Sequence, residues 1–124
     1  MDKLKFINKQ MQSLKIPYEF MEWTGAVKYP YFVGEYADTP TMTEDGAFES
    51  KFILTGTTRG KWLDLEKIKD KIIKHFSPVC GLRGTTDSGT IAVFFSDAFP
   101  VPTGEADLKR IQINLDIKEW KGLN

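Results

Sequence analysis

The clearest pattern in the chain lies near its C-terminal end. In "LKRIQINLDIKEW", Ile111, Ile113, Leu115 and Ile117 alternate with Arg110, Gln112, Asn114, Asp116 and Lys118. A period of two predicts a strand with one buried and one polar face, as antiparallel sheets require. Residues 48–58 alternate similarly: Phe48, Ser50, Phe52 and Leu54 against Glu49, Lys51, Ile53 and Thr55. Two segments repeat at helical spacing instead. Leu4, Ile7, Met11 and Leu14 predict a helix over 3–14, with Asp2 able to cap it and Pro17 to stop it. Trp62, Leu65, Ile68, Ile72 and Phe76 predict a second, from near Gly60 to Pro78, with Asp64 and Glu66 early and Lys71 and Lys74 late, as the helix dipole favours. Trp62 belongs to the face expected to pack on the sheet.

The rest reads as short strands and connectors. "YEFMEW" (18–23) predicts a strand, followed by a turn at Gly25. In "KYPYFVGEY", Pro30 suits the start of a strand; Tyr31, Val33 and Glu35 then face one side, Phe32, Gly34 and Tyr36 the other. Residues 37–47, with Pro40, Gly46 and three carboxylates, read as a long polar loop. "VCGLRGTT" leads to a turn at 87–89, a strand over 90–95, and a connector with two prolines before the last strand. The expectation is one α+β domain spanning 1–124. It has two main helices on a mostly antiparallel or mixed sheet, in the order α-β-β-β-α-β-β-β.

Composition narrows the function classes. At 124 residues the chain has room for one core. Lys plus Arg and Asp plus Glu are each 17, so the net charge is zero. Together with the lack of a basic run, this argues against specific nucleic-acid binding. The lysines near the N-terminus read as a solvated helix face. One cysteine, Cys80, permits no intrachain disulfide and fits a reducing compartment. No stretch has the length of a signal peptide or membrane span, so a soluble, cytoplasmic protein is expected.

Catalytic signals are weak. His75 is the sole histidine, five residues before Cys80, and nothing marks the two as a nucleophilic pair. There is no second histidine and no CxxC for a metal. "TGTTRG" (55–60) precedes a helix, where Arg59 offers an anion site, although a helix-launching turn accounts for it as well. The acidic pair Glu44 and Asp45 lacks the spacing of a calcium loop. No enzyme activity and no cofactor are expected.

The runs "YEFMEWTGAVKYPYFVGEY", "TEDGAFESKFILTGTTRGKWLDLEKIKDKI" and "FPVPTGEADLKRIQINLDIKEW" cover nearly the whole chain. Their pattern and element order resemble tail terminator, or tail-completion, proteins of long-tailed phages, encoded by prophages of Gram-positive bacteria. The resemblance implies a small α+β subunit of a homo-oligomeric ring, typically a hexamer, with no catalytic residues. Such a ring caps the tail tube and meets the head connector or neck protein. It assembles in the host cytoplasm and ends in the virion. Candidate interface residues under this reading are the aromatics Tyr29, Tyr31 and Tyr36, the loop residues Asp38, Met42, Glu44 and Asp45, and the polar face of the last strand, Arg110, Gln112 and Asn114, as a lumen lining. Two alternatives stand beside it. One is a head-completion (neck) protein. The other is a small-molecule-binding domain or enzyme whose pocket is lined by Trp23, Tyr29, Tyr31 and Tyr36.

Overall fold

A computed structural model describes residues 2–21, 25–26, 28–42 and 46–121. The elements are α1 (Asp2–Ser13), β1 (Tyr18–Phe20), β2 (Tyr31–Met42), β3 (Phe48–Thr58), α2 (Trp62–His75), β4 (Leu82–Thr86), β5 (Gly89–Val101) and β6 (Lys109–Lys121). Class and order are those expected from the pattern. The six strands form one sheet in the order β1-β2-β3-β6-β5-β4. β1 runs parallel to β2, and the other neighbours are antiparallel, so the sheet is mixed.

Alternation decides what the sheet buries. Ile111, Ile113, Leu115 and Ile117 of β6 lie beside Phe52 and Leu54 of β3, and both helices cover this face. Ile7 and Met11 of α1 and Leu65 and Ile72 of α2 complete the core, with Phe76 just past the end of α2. Each large side chain contributes about 1.5–3 kcal/mol by leaving water. Trp62 packs against this core, as its place on the helix stripe predicts, but is only half-buried at the rim. It opens α2, and its Nε1–H donates to Oε1 of Glu66 at 3.1 Å. An indole with a polar handle settles where its N–H finds a partner.

α1 packs against both β1 and β4, at opposite edges of the sheet. Lys3 is ion-paired with Asp38 of β2, while one turn later Phe6 covers Gly84 of β4 so closely that a Cβ there would collide with the ring. In a flat sheet, β2 and β4 would be on the order of 19 Å apart. The sheet therefore curls, and α1 closes the opening between its edges.

Three boundaries differ from the sequence reading. The predicted 37–47 loop is largely strand. β2 continues to Met42, with Ala37 opposite Lys51, Asp38 opposite Ser50 and Met42 opposite Phe48. The pairing is irregular between Asp38 and Met42, which accommodates Pro40 and its missing N–H. The predicted 96–107 connector begins only after Val101. A bulge between Phe95 and Asp97 lets β5 continue along β6, with Pro100 opposite Ile111. β4 pairs with β5 only as far as Val93, so Pro100 sits where β5 is the sheet edge. The third is β1, which ends at Phe20; Trp23, once placed in it, lies outside the described residues. Among the described residues no helix is long and apolar enough to cross a membrane.

Candidate functional site

Among the described residues, one face of the sheet carries no helix. β2 turns Tyr31, Val33 and Glu35 toward it, and the register extends each into a row across the strands. Tyr31 stands beside Thr57 and Arg110, Val33 beside Thr55 and Gln112, and Glu35 beside Ile53 and Asn114. The predicted lumen residues thus share one surface with Tyr31. Their polar groups satisfy one another. The Arg110 guanidinium donates from Nε to Oγ1 of Thr57 at 3.3 Å, Gln112 donates to Oδ1 of Asn114 at 3.0 Å, and Asn114 donates to Oδ1 of Asp97 at 2.7 Å. A shallow cleft of about 230 Å³ lies between Met21, Tyr31, Glu35 and Arg110. It falls below the usual ~300–1,000 Å³ of small-molecule sites.

Tyr36 and Asp38 lie on the opposite face. Tyr36 stacks on Phe20, with centroids 6.0 Å apart and planes at 18°, and Lys3 Nζ sits 4.7 Å above its ring. Asp38 is bound to Lys3. Tyr31 and Tyr36 therefore cannot line one pocket, and the four-aromatic pocket expected as an alternative does not form. The reason is the period of two in a strand: positions five apart face opposite ways. Tyr29 precedes β2, 5.7 Å from the Tyr31 ring, and its hydroxyl accepts from Nε of Arg59 at 3.3 Å. Met42 is the last residue of β2; Glu44 and Asp45 lie outside the described residues.

Near the β1–β2 edge two exposed residues that the pattern did not single out, Phe20 and Met21, join the predicted Tyr29. Phe20, Met21 and Tyr29 are 36%, 60% and 44% exposed. They do not form one cluster: Met21 and Tyr29 stand near Tyr31 on the helix-free face, and Phe20 stands beside Tyr36 on the other. Exposed aromatics and Met are enriched at interfaces. A strand of three residues is too short to show a period, so sequence offered no phase for Phe20 and Met21.

The remaining candidates are accounted for by the fold. Arg59 is engaged by carboxylates, Asp107 at 2.7 Å and Glu105 at 3.4 Å, which opposes its use as an anion site. It ties the β3–α2 corner to the β5–β6 connector. His75 Nε2 faces Gln10, and partial burial lowers the imidazole pKa below its ordinary value. Cys80 is exposed in the turn after α2. Burial pushes the Tyr18 hydroxyl up to about 12, as expected for a phenol packed beside Phe52. Among the described residues no group of three or more His, Cys, Asp and Glu could hold a metal ion. The chain matches no protein-family model and no curated protein.

Proposed function

We propose that the chain is a structural, non-enzymatic subunit of a long-tailed phage: a tail terminator that closes into a homo-oligomeric ring, hexameric in the family it resembles. The ring caps the tail tube and offers the head connector a new surface. It assembles in the host cytoplasm and persists in the neck of the virion. The observation that carries this reading is the exposure of large apolar side chains on both faces near the β1–β2 edge, Phe20 on one and Met21 and Tyr29 on the other. A neighbouring subunit that covered these side chains would remove apolar surface from water at a strand edge, which otherwise invites uncontrolled pairing. The uncovered polar face of β6 supports the same reading, because its groups are already paired and suit a wetted lumen better than a ligand pocket.

A tube of identical rings presents at each end the surface on which the next ring would dock. Capping it requires two binding surfaces and no chemistry. The test is electron microscopy of lysates from an induced prophage lacking the gene. Filled heads beside unattached tails, many of abnormal length, are expected. Normal tails joined to heads would sink the proposal. Tails of normal length that fail to attach would assign the chain to head completion instead.

A further inference from the structure

The neutral total hides a separation of charge. On the outer surface of the helices the exposed lysines are Lys5 and Lys9 of α1 and Lys67, Lys71 and Lys74 of α2, against one exposed carboxylate, Asp70, among the side chains described. Lys5 and Lys9 are four residues apart; Lys67, Lys71 and Lys74 follow at four and three. Each set forms one stripe along its helix. The helices lie on the same face of the sheet, and Gln10 meets His75 between them, so the chain neighbours Lys9 and Lys74 flank one seam.

None of these five lysines has an ion-pair partner among the described residues. The carboxylates Asp38, Asp116, Glu105, Asp107 and Glu66, by contrast, are paired with other cations. Lysines stacked at helical spacing repel one another, and among the described residues no carboxylate comes within ion-pair distance of them. Asp87 is the carboxylate facing Lys5 and Lys9, across a cleft of about 150 Å³ shared with Thr85 and Thr86.

We infer that the outer face of the two helices is a docking surface for the phosphate backbone of double-stranded DNA, without sequence preference. Charge complementarity selects an anionic partner, and the residue type selects which. Protein interfaces are depleted in lysine, and carboxylates are gripped best by the planar fork of arginine. This face is rich in lysine and has no exposed arginine, while Asn8 and Gln12 of α1 are exposed beside the lysines as additional phosphate donors. Such a face suits a hydrated polyanion held by point charges. The inference goes beyond the ring reading and does not depend on it.

The experiment is fluorescence anisotropy of a labelled duplex of about 30 base pairs, titrated with the full chain at several salt concentrations. Binding is expected at about 50 mM salt, with log affinity falling against log salt at a slope of about −4.5, as for roughly five phosphates. The combined Lys5→Gln, Lys9→Gln, Lys67→Gln, Lys71→Gln, Lys74→Gln variant should lose affinity about 100-fold or more. Lys71→Gln and Lys74→Gln alone should each lose a few-fold, so the result does not rest on one heavily altered chain. Lys51→Gln with Lys118→Gln, on the opposite face, should bind like the parent. No binding at about 100 µM protein in low salt would overturn the inference, as would equal weakening by the opposite-face variant. Displacement by polyglutamate as effective as by unlabelled duplex at equal charge would overturn it too, assigning the face to an acidic protein. Ring formation is read separately, by light scattering without DNA, so failure of one reading is distinguishable from failure of the other.

Discussion

Nε2 of His75 lies 2.6 Å from Oε1 of Gln10, joining the end of α2 to α1 across 65 residues of sequence. Burial makes this imidazole harder to protonate in the folded chain than in the unfolded one. Wherever the unfolded chain takes up more protons, acid favours unfolding. The His75 contribution is therefore fully favourable above about pH 6.5, the ordinary pKa, and is lost as pH falls through and below it. Thermal melts from about pH 8 to pH 5 should show a steeper loss for the parent than for His75→Gln. Parallel curves would remove His75 as the cause.

Gly56 of β3 lies beneath the Phe32 ring of β2, where a Cβ would collide with it. Both residues are fully buried in the sheet, so the ring has little room to yield. Gly56→Ala should cost about 1–3 kcal/mol in denaturant unfolding. Phe32→Leu added to it should cost less than the two separate losses together, because the smaller side chain makes room for the methyl.

The stripe of α2 should show a gradient. Phe76 is fully buried, and Phe76→Ala should cost about 3–5 kcal/mol. Trp62 is half-buried at the rim, and Trp62→Ala should cost nearer 2 kcal/mol. Equal losses would mean that the indole is covered in solution.

Replacing these exposed side chains of the β1–β2 edge tests assembly apart from folding. Phe20→Ser, Met21→Ser and Tyr29→Ser together should leave a folded monomer, slightly destabilised because the Phe20–Tyr36 stack, worth about 0.5–1.5 kcal/mol, is gone. Light scattering at high concentration, or binding to purified tubes, should then report loss of the ring. A ring that survives the change contacts its neighbour elsewhere.

Arg59 bonds to Asp107, Glu105 and Tyr29 from a solvent-exposed position. Ion pairs in water contribute little and are screened by salt. Arg59→Ala should unfold close to the parent, and the small difference should vanish in concentrated salt. A large, salt-insensitive loss would show that the corner is buried in an assembly.

The fold was legible where periodicity ran long enough to phase. β3 and β6, eleven and thirteen residues long, carry the longest runs of alternation, and their predicted and observed extents nearly coincide. The ends of β2 and β5 were not legible, because Pro40 and Pro100 read as breakers. A proline breaks an interior strand; at an irregular or edge position it removes a hydrogen bond that was not being made. Of the candidate surface, the grouping of Tyr31 with Arg110, Gln112 and Asn114 needed the register, which only the turn positions and the β3–β6 pairing supply. The charge separation was hidden by the total of zero. Its signal, lysines at helical spacing on the exposed phase of both helices, was present, but those of α1 read as a solvated face and Lys71 and Lys74 of α2 as complements to the helix dipole.

The helix that closes the curled sheet imposes an order of events on synthesis. α1 leaves the ribosome first, yet the Gly84 position that Phe6 covers is made roughly 80 residues later, several seconds at ordinary translation rates. Ile7 and Met11, buried in the finished protein, must wait without their partners through that interval. The central β3–β6 pairing is also long-range, so little of the structure can form before β6 has been made. Chaperone demand should therefore fall on the nascent chain, and a solubility tag should help more at the N-terminus, beside the waiting helix, than at the other end.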